Sequence, residues 1–206
     1  MKRDDRMVKK YLLNKRVFVF VAALSVFAYT LSVVFTDEIN KLDSLLMARS
    51  DFATAFFKFI TRFGDWYVIV GIILLSLIFF RKYFKVIVTN AVFITLVNQA
   101  LKFLIQRPRP NDFQIISVSG YSFPSGHAMI SAAFYGFIFY LIYKSNLSNK
   151  YKVLLGMFIL ILVVLICISR VYLGVHYLTD VIAGSSLAML YLTVYTYLLK
   201  IKKINI

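Results

Sequence analysis

The sequence predicts an all-α integral membrane protein with six transmembrane helices and an amphipathic helix on the outer surface between helices 1 and 2. Three observations carry this prediction. Of 206 residues, 61% are hydrophobic and the mean hydropathy is +0.79. Charged residues make up only 16%, against roughly a quarter in soluble domains. The apolar residues gather into six stretches, and Lys and Arg collect at the ends of those stretches rather than along one soluble face.

The stretches run Val17 to Thr36, Trp66 to Phe80, Val86 to Ile105, Ala128 to Tyr143, Val153 to Ser169 and Leu178 to Leu199. Several fall short of the roughly 20 residues that a span needs, so their helices are expected to extend into the flanks or to tilt. The first follows a basic segment, as a signal peptide would. It is too long for a signal-peptide core and lacks a small-x-small cleavage site, which predicts an uncleaved helix. Between the first two stretches, Leu42, Leu45, Leu46, Phe52, Phe56, Phe57 and Phe59 alternate with Lys41, Asp43, Arg49, Asp51, Lys58 and Arg62. That pattern fits a helix lying on the outer surface or one packed over the mouth of the bundle.

With the N-terminus cytoplasmic, sixteen of the 24 Lys and Arg residues fall inside, and eight outside: Lys41, Arg49, Lys58, Arg62, Lys102, Arg107, Arg109 and Arg170. The positive-inside rule therefore predicts a multi-pass cell-membrane protein with both termini cytoplasmic. The formal net charge of +15 is thus topological and does not indicate a nucleic-acid surface. A lone Cys167 inside an apolar run excludes a disulfide framework. The external carboxylates lack metal-ligand spacing, so no metal and no cofactor is expected. Residues 1–206 read as a single domain without internal repeats, and nothing in the pattern specifies an oligomeric state.

Three outward segments hold the candidate chemistry: KFLIQRPRP (Lys102 to Pro110), FPSGH (Phe123 to His127) and SRVYLGVHYLTD (Ser169 to Asp180). The three prolines and the two histidines of the chain all lie in them, which points to rigid loops. Lys102, Arg107, Arg109 and Arg170 together suit a multidentate anion site, because guanidinium forks match phosphate oxygens. His176 and Asp180 stand four residues apart. If a helix begins near His176, the carboxylate can hold the imidazole in one tautomer, as a nucleophile or as a structural pair. Gly174 marks a bend between Arg170 and His176. Ser125 and the Gly126 N–H at a helix start suit phosphate oxygens beside His127.

These residues resemble the signature of the type 2 phosphatidic acid phosphatases, K-x6-RP, PSGH and SR-x5-H-x3-D. The three parts read Lys102 to Arg109 and Pro110; Pro124 to His127; and Ser169, Arg170, His176 and Asp180. The resemblance implies a metal-independent phosphohydrolase with a phosphohistidine intermediate. His176 would attack phosphorus, Asp180 would orient it, and His127 would protonate the leaving oxygen and then activate water. Lys102, Arg109, Arg170, Ser125 and the Gly126 N–H would hold the phosphoryl oxygens. Arg107 lies outside the signature and is expected only as an additional contact.

The implied partner is a phosphorylated lipid in the bilayer, with the active site external and no role for nucleic acid. Phosphatidylglycerophosphate, phosphatidic acid and undecaprenyl pyrophosphate all fit, because the motifs read only phosphate. Two other functions compete. A lipid-phosphate transporter or binding protein needs the cations but not an oriented nucleophile. A vanadate-dependent haloperoxidase shares the anion site but is disfavoured by six apolar spans. Asn98 and Gln99 are expected as interhelical hydrogen-bond partners, and Ala183, Gly184, Ser185, Ser186 and Ala188 as a small-residue packing face.

Overall fold

The computed structural model describes residues 2–34, 49–110 and 114–201, with side chains from residue 14 onward. Leu42, Leu45, Leu46, Lys41, Asp43 and Thr36 of the sequence reading lie outside the described residues. Helices follow in the order α1 (Lys2–Ser32), α2 (Asp51–Thr61), α3 (Trp66–Phe79), α4 (Phe84–Ile105), α5 (Gly126–Lys144), α6 (Asn149–Tyr172) and α7 (Leu178–Ile201), with a 3-10 turn at Arg62–Gly64 between α2 and α3. No strand occurs among the described residues.

Five helices are long and apolar enough to cross a membrane: α1 from Asn14, α4, α5, α6 and α7. Most extend a few residues beyond the apolar cores, as expected of short apolar runs. The second stretch behaves differently. At 14 residues, α3 is roughly 21 Å long at 1.5 Å per residue, short of the ~30 Å hydrocarbon core. It meets α2 and the 3-10 turn at a 47° bend, and only the bent pair taken together reaches span length.

Capping explains the boundaries that shape the site. Ser50 starts α2 by accepting from the Ala53 N–H at 3.2 Å, an N-cap that satisfies one of the helix's free donors. Helix α4 stops at Ile105, Gln106 turns left-handed at φ 51°, and Pro108 restrains Arg107 from continuing the helix. Gly174, at φ 69°, closes α6 in the conformation that glycine tolerates best, so the expected bend is present.

Helix α5 lies centrally against α4, α6 and α7, and α1 runs along α7. The small-residue face of α7 makes this close approach possible. A Cβ on Gly184 would stand 2.8 Å from the Ser125 carbonyl oxygen and 3.2 Å from the Met129 nitrogen, so only hydrogen fits there. At one end of the bundle, Tyr172, Leu173 and Val175 form a buried cluster with Ala53 and Phe57 of α2 and with Ile115, Ile116 and Val118. The Tyr172 and Phe57 rings lie 4.6 Å apart, while Phe52 and Phe59 on the same helix are exposed.

Candidate active site

The loops between α4 and α5 and between α6 and α7 meet over the N-terminus of α5. Beside them a cavity of about 530 Å³ runs between α3, α4 and α5, with Lys102, Arg109, Gly126, His127, Arg170 and His176 among its lining, a volume suited to a small ligand. Of the residues singled out in the sequence, Ser125, Asp180 and Arg107 stand behind this lining.

The His176 ring is fixed from both sides. Its Nδ1 lies 3.4 Å from Asp180 Oδ2, and its Nε2 lies 3.2 Å from Arg109 Nη1. A guanidinium can only donate and a carboxylate only accept, so Nδ1 carries the hydrogen and Nε2 keeps its lone pair. Burial pushes the imidazole down to about 3 against the opposing pull of Asp180, which keeps it neutral. Helix α7 begins at Leu178, two residues after His176, so the pair is not held together by a shared helical face. The contact instead follows from helix capping. Asp180 occupies the third helical position and accepts from the Tyr177 N–H at 3.0 Å, half of a capping box. The chain entering that cap carries His176 to the carboxylate.

Arg107 departs from its expected role as an extra phosphate contact. It is buried, and its Nη1 donates to Asp180 Oδ1 at 2.7 Å and to Thr179 Oγ1 at 2.8 Å. Its guanidinium lies 4.0 Å from the centroid of the Tyr177 ring. The side chain is committed to the start of α7 because Asp180 is the buried anion that needs a second donor.

The cations that do line the cavity are held largely by backbone oxygens. Lys102 Nζ donates to the Tyr121 and Ser122 carbonyls. Arg109 donates through Nε to Gly120 at 2.9 Å, through Nη1 to Val175 at 2.8 Å and through Nη2 to Ser119 at 3.2 Å. Arg170, only 2% exposed, gives Nη1 to Thr61 Oγ1 at 2.6 Å, yet its Nε has no hydrogen-bond partner. Arg107 Nε is likewise unpaired, so it is the presence of Arg170 in the cavity lining, beside Lys102 and Arg109, that suits an anion.

Ser125 is fully buried as the N-cap of α5, with its hydroxyl 3.5 Å from the Ala128 N–H and its own N–H donating to the Asp180 carbonyl at 3.0 Å. Gly126 follows in the first turn, where helix N–H groups have no intrahelical partner. Asn98 Nδ2 donates to the Pro124 carbonyl of the loop at 3.2 Å and lies 3.4 Å from Met129 Sδ of α5, the second of these being the expected link between helices. His127 Nε2 lies 3.0 Å from Asp65 Oδ1.

Sequence reasoning passed over Thr61 and Asp65. Asp65 directly precedes an apolar run, a position with a recognisable helix-start signature; Thr61 carried no signal. Among the described residues, no group of three or more His, Cys, Asp or Glu side chains is placed to hold a metal ion.

Residues 82–203 match the PAP2 superfamily. The chain is 34% identical over 179 residues to phosphatidylglycerophosphatase B of Bacillus subtilis, covering 84% of this chain and 88% of that one. It is also 34% identical to an undecaprenyl-diphosphatase of Sulfolobus acidocaldarius, over 61% of each chain. The crystal structure of a transmembrane PAP2 type phosphatidylglycerolphosphate phosphatase from Bacillus subtilis superposes with a TM-score of 0.77 at 28% identity, covering 90% of this chain and 96% of that one. Aquifex aeolicus LpxE shares the fold, with a TM-score of 0.63 at 22% identity over 76% of this chain and 93% of its own. A family match over more than half of the chain, joined to a shared fold along nine-tenths of it, places this multi-pass membrane protein in the PAP2 superfamily.

Proposed function

We propose that the protein is a membrane lipid phosphatase acting through a phosphohistidine on His176. The observation that carries this reading is the pairing of a neutral, oriented imidazole with three cationic side chains, Lys102, Arg109 and Arg170, in one cavity. A transporter or binding site has no use for the first of these.

In the first half-reaction, His176 Nε2 forms a bond to phosphorus as the phosphorus–oxygen ester bond breaks, and His127 supplies a proton to the departing oxygen. In the second, a water oxygen bonds to phosphorus and the phosphorus–nitrogen bond breaks. His127 takes the water's proton. Lys102, Arg109, Arg170 and the Gly126 N–H neutralise the phosphoryl oxygens, and Ser125 positions that N–H through its cap. Charge compensation by these groups supports metal independence.

The substrate class follows from the far wall of the cavity. Ile69, Val70 and Ile73 of α3 and Val92 and Leu96 of α4 continue the lining away from the cations, an apolar path suited to an acyl or prenyl chain. The similarity to the Bacillus subtilis phosphatase supports phosphatidylglycerophosphate as substrate. The similarity to the Sulfolobus enzyme supports undecaprenyl pyrophosphate as a second candidate. For topology, we infer six spans with the bent α2–α3 pair forming the second, both termini cytoplasmic and the active site external. The basic-residue asymmetry supports this arrangement.

The test is phosphate release by purified protein in detergent from a panel of phosphatidylglycerophosphate, phosphatidic acid and undecaprenyl pyrophosphate, with a chelator present. Turnover with phosphatidylglycerophosphate at the highest kcat/KM is expected. Binding without turnover of any of the three would refute the reading.

A further inference from the structure

His127 has a carboxylate partner that none of the three motifs contains. Asp65 stands between the 3-10 turn and α3, with its backbone extended at φ −74° and ψ 149°. Its Oδ1 lies 3.0 Å from His127 Nε2, and its Oδ2 accepts from the Tyr67 hydroxyl at 2.8 Å. The preceding residue permits the approach. A Cβ on Gly64 would stand 2.7 Å from His127 Cδ2 and 3.1 Å from Ser131 Oγ, so the turn is seated against the ring edge that carries Nε2. Tyr135 anchors the same turn by donating to the Phe63 carbonyl at 2.7 Å.

We propose that Asp65 is the positioning residue of the acid–base histidine, so that the site holds two His–Asp pairs, one for attack and one for proton transfer. This rests on the reading of His127 given above. Because a carboxylate only accepts, it fixes the hydrogen on Nε2 and leaves Nδ1 as the nitrogen that exchanges protons. The need for a partner follows from the surrounding charge. Arg170 and Arg109 line the same cavity as the ring, and a neighbouring cation disfavours a further positive charge. Asp65 offsets them at hydrogen-bond distance. In the first half-reaction the Nδ1 proton passes to the departing oxygen and leaves a neutral ring; in the second, water returns a proton to Nδ1. Asp65 stays ionised in both, and Tyr67 holds its other oxygen away from the ring.

The experiment compares kcat/KM for two ester classes in Asp65→Asn, Asp65→Glu, Tyr67→Phe and His127→Ala variants of the full chain. An alkyl phosphate lipid has a leaving oxygen that requires a proton, whereas 4-nitrophenyl phosphate does not. kcat/KM reports steps only up to departure of the leaving group, so later hydrolysis does not intrude. Asp65→Asn should lose about 10- to 100-fold on the lipid, a fraction of the ~10² to 10⁴ of general acid catalysis, and much less on the aryl ester. Asp65→Glu should recover part of the lipid activity. Tyr67→Phe, which keeps the carboxylate, should show a smaller loss with the same selectivity. Equal losses on both esters, no loss, or a gain in Asp65→Asn, with His127→Ala still selective, would overturn the assignment. A gain would identify the contact as an inhibitory latch. A His127→Ala variant that loses both esters equally would refute the acid–base reading of His127 itself, and the role of Asp65 with it.

Discussion

Replacing Arg107 with methionine separates the two roles available to it, phosphate contact and support of Asp180. Asp180 is fully buried and receives the Arg107 Nη1 at 2.7 Å, the Tyr177 N–H at 3.0 Å and His176 Nδ1 at 3.4 Å. The substitution removes the shortest of these and the only permanent cation. Methionine replaces the side-chain bulk against Tyr177 but offers no donor. Breaking a buried ion pair from one side costs ~3 to 5 kcal/mol, and the two remaining donors place the expected loss at the lower end of that range. The catalytic share is bounded by one charge-assisted hydrogen bond, ~1.5 to 3 kcal/mol, or roughly 10- to 100-fold in kcat.

Thermal unfolding in detergent and steady-state kinetics on one lipid measure both effects. The expected result is a lower midpoint, a lower kcat and a KM close to that of the unsubstituted protein. Arg107→Lys should rescue only partly, since a single ammonium does not reproduce the guanidinium's planar contact with Tyr177. Unchanged stability and kcat with a KM raised tenfold or more would refute this reasoning and return Arg107 to the phosphate.

The other expectations concern the histidines, packing, topology and pH. With labelled substrate and rapid quench, His176→Ala should yield no acid-labile phosphoenzyme, whereas His127→Ala should form or hydrolyse it ~10²-fold or more slowly; label persisting in the first and absent from the second would exchange their roles. Gly184→Ala should lower stability by ~1 to 3 kcal/mol, because its Cβ meets the Ser125 backbone at 2.8 Å; a wild-type midpoint would contradict that packing. In a Cys167→Ala background, Ser117→Cys should react with an impermeant thiol reagent on intact cells and Lys150→Cys should not, and the reverse pattern would invert the topology. His176 is held near 3 in the fold against ~6.5 when unfolded, so the unfolded chain binds the extra proton between those values. Stability should therefore fall as pH drops from about 6.5 towards 3, by up to ~1.4 kcal/mol per pH unit, and His176→Asn should flatten that slope.

The sequence carried the parts of this fold that depend on composition and on local geometry. Long apolar runs flanked by Lys and Arg marked α1, α4, α5, α6 and α7, because a bilayer admits few other structures. Gly174 and the small residues of α7 were legible for the same reason, since each acts where it stands. The second stretch was less so. Periodicity does not distinguish a short span from a bent pair, and the residues at the 47° break meet partners in α5, His127 and Tyr135, that are remote in sequence. Arg107 was expected at the anion because it stands among other cationic motif residues; the partner it has in the fold, Asp180, lies 73 residues away. Thr61 and Asp65 were invisible as site residues because they meet Arg170 and His127 only after α2 and the 3-10 turn settle on the bundle.

One physical problem unites these contacts. Lys102, Arg109 and Arg170 share a cavity, yet the carboxylates near them are engaged elsewhere: Asp180 with Arg107 and His176, and Asp65 with His127. Cations withdrawn from water need other partners. Residues 119–122 supply the carbonyl oxygens of Ser119, Gly120, Tyr121 and Ser122, and the 173–177 turn adds that of Val175. Neutral carbonyls solvate a cation without cancelling its charge. A carboxylate in their place would stabilise the empty site and compete with an incoming phosphate. The loops thus keep Lys102 and Arg109 ordered, and Thr61 Oγ1 holds Arg170, all without a carboxylate in contact, a charge pattern suited to the phosphate proposed above.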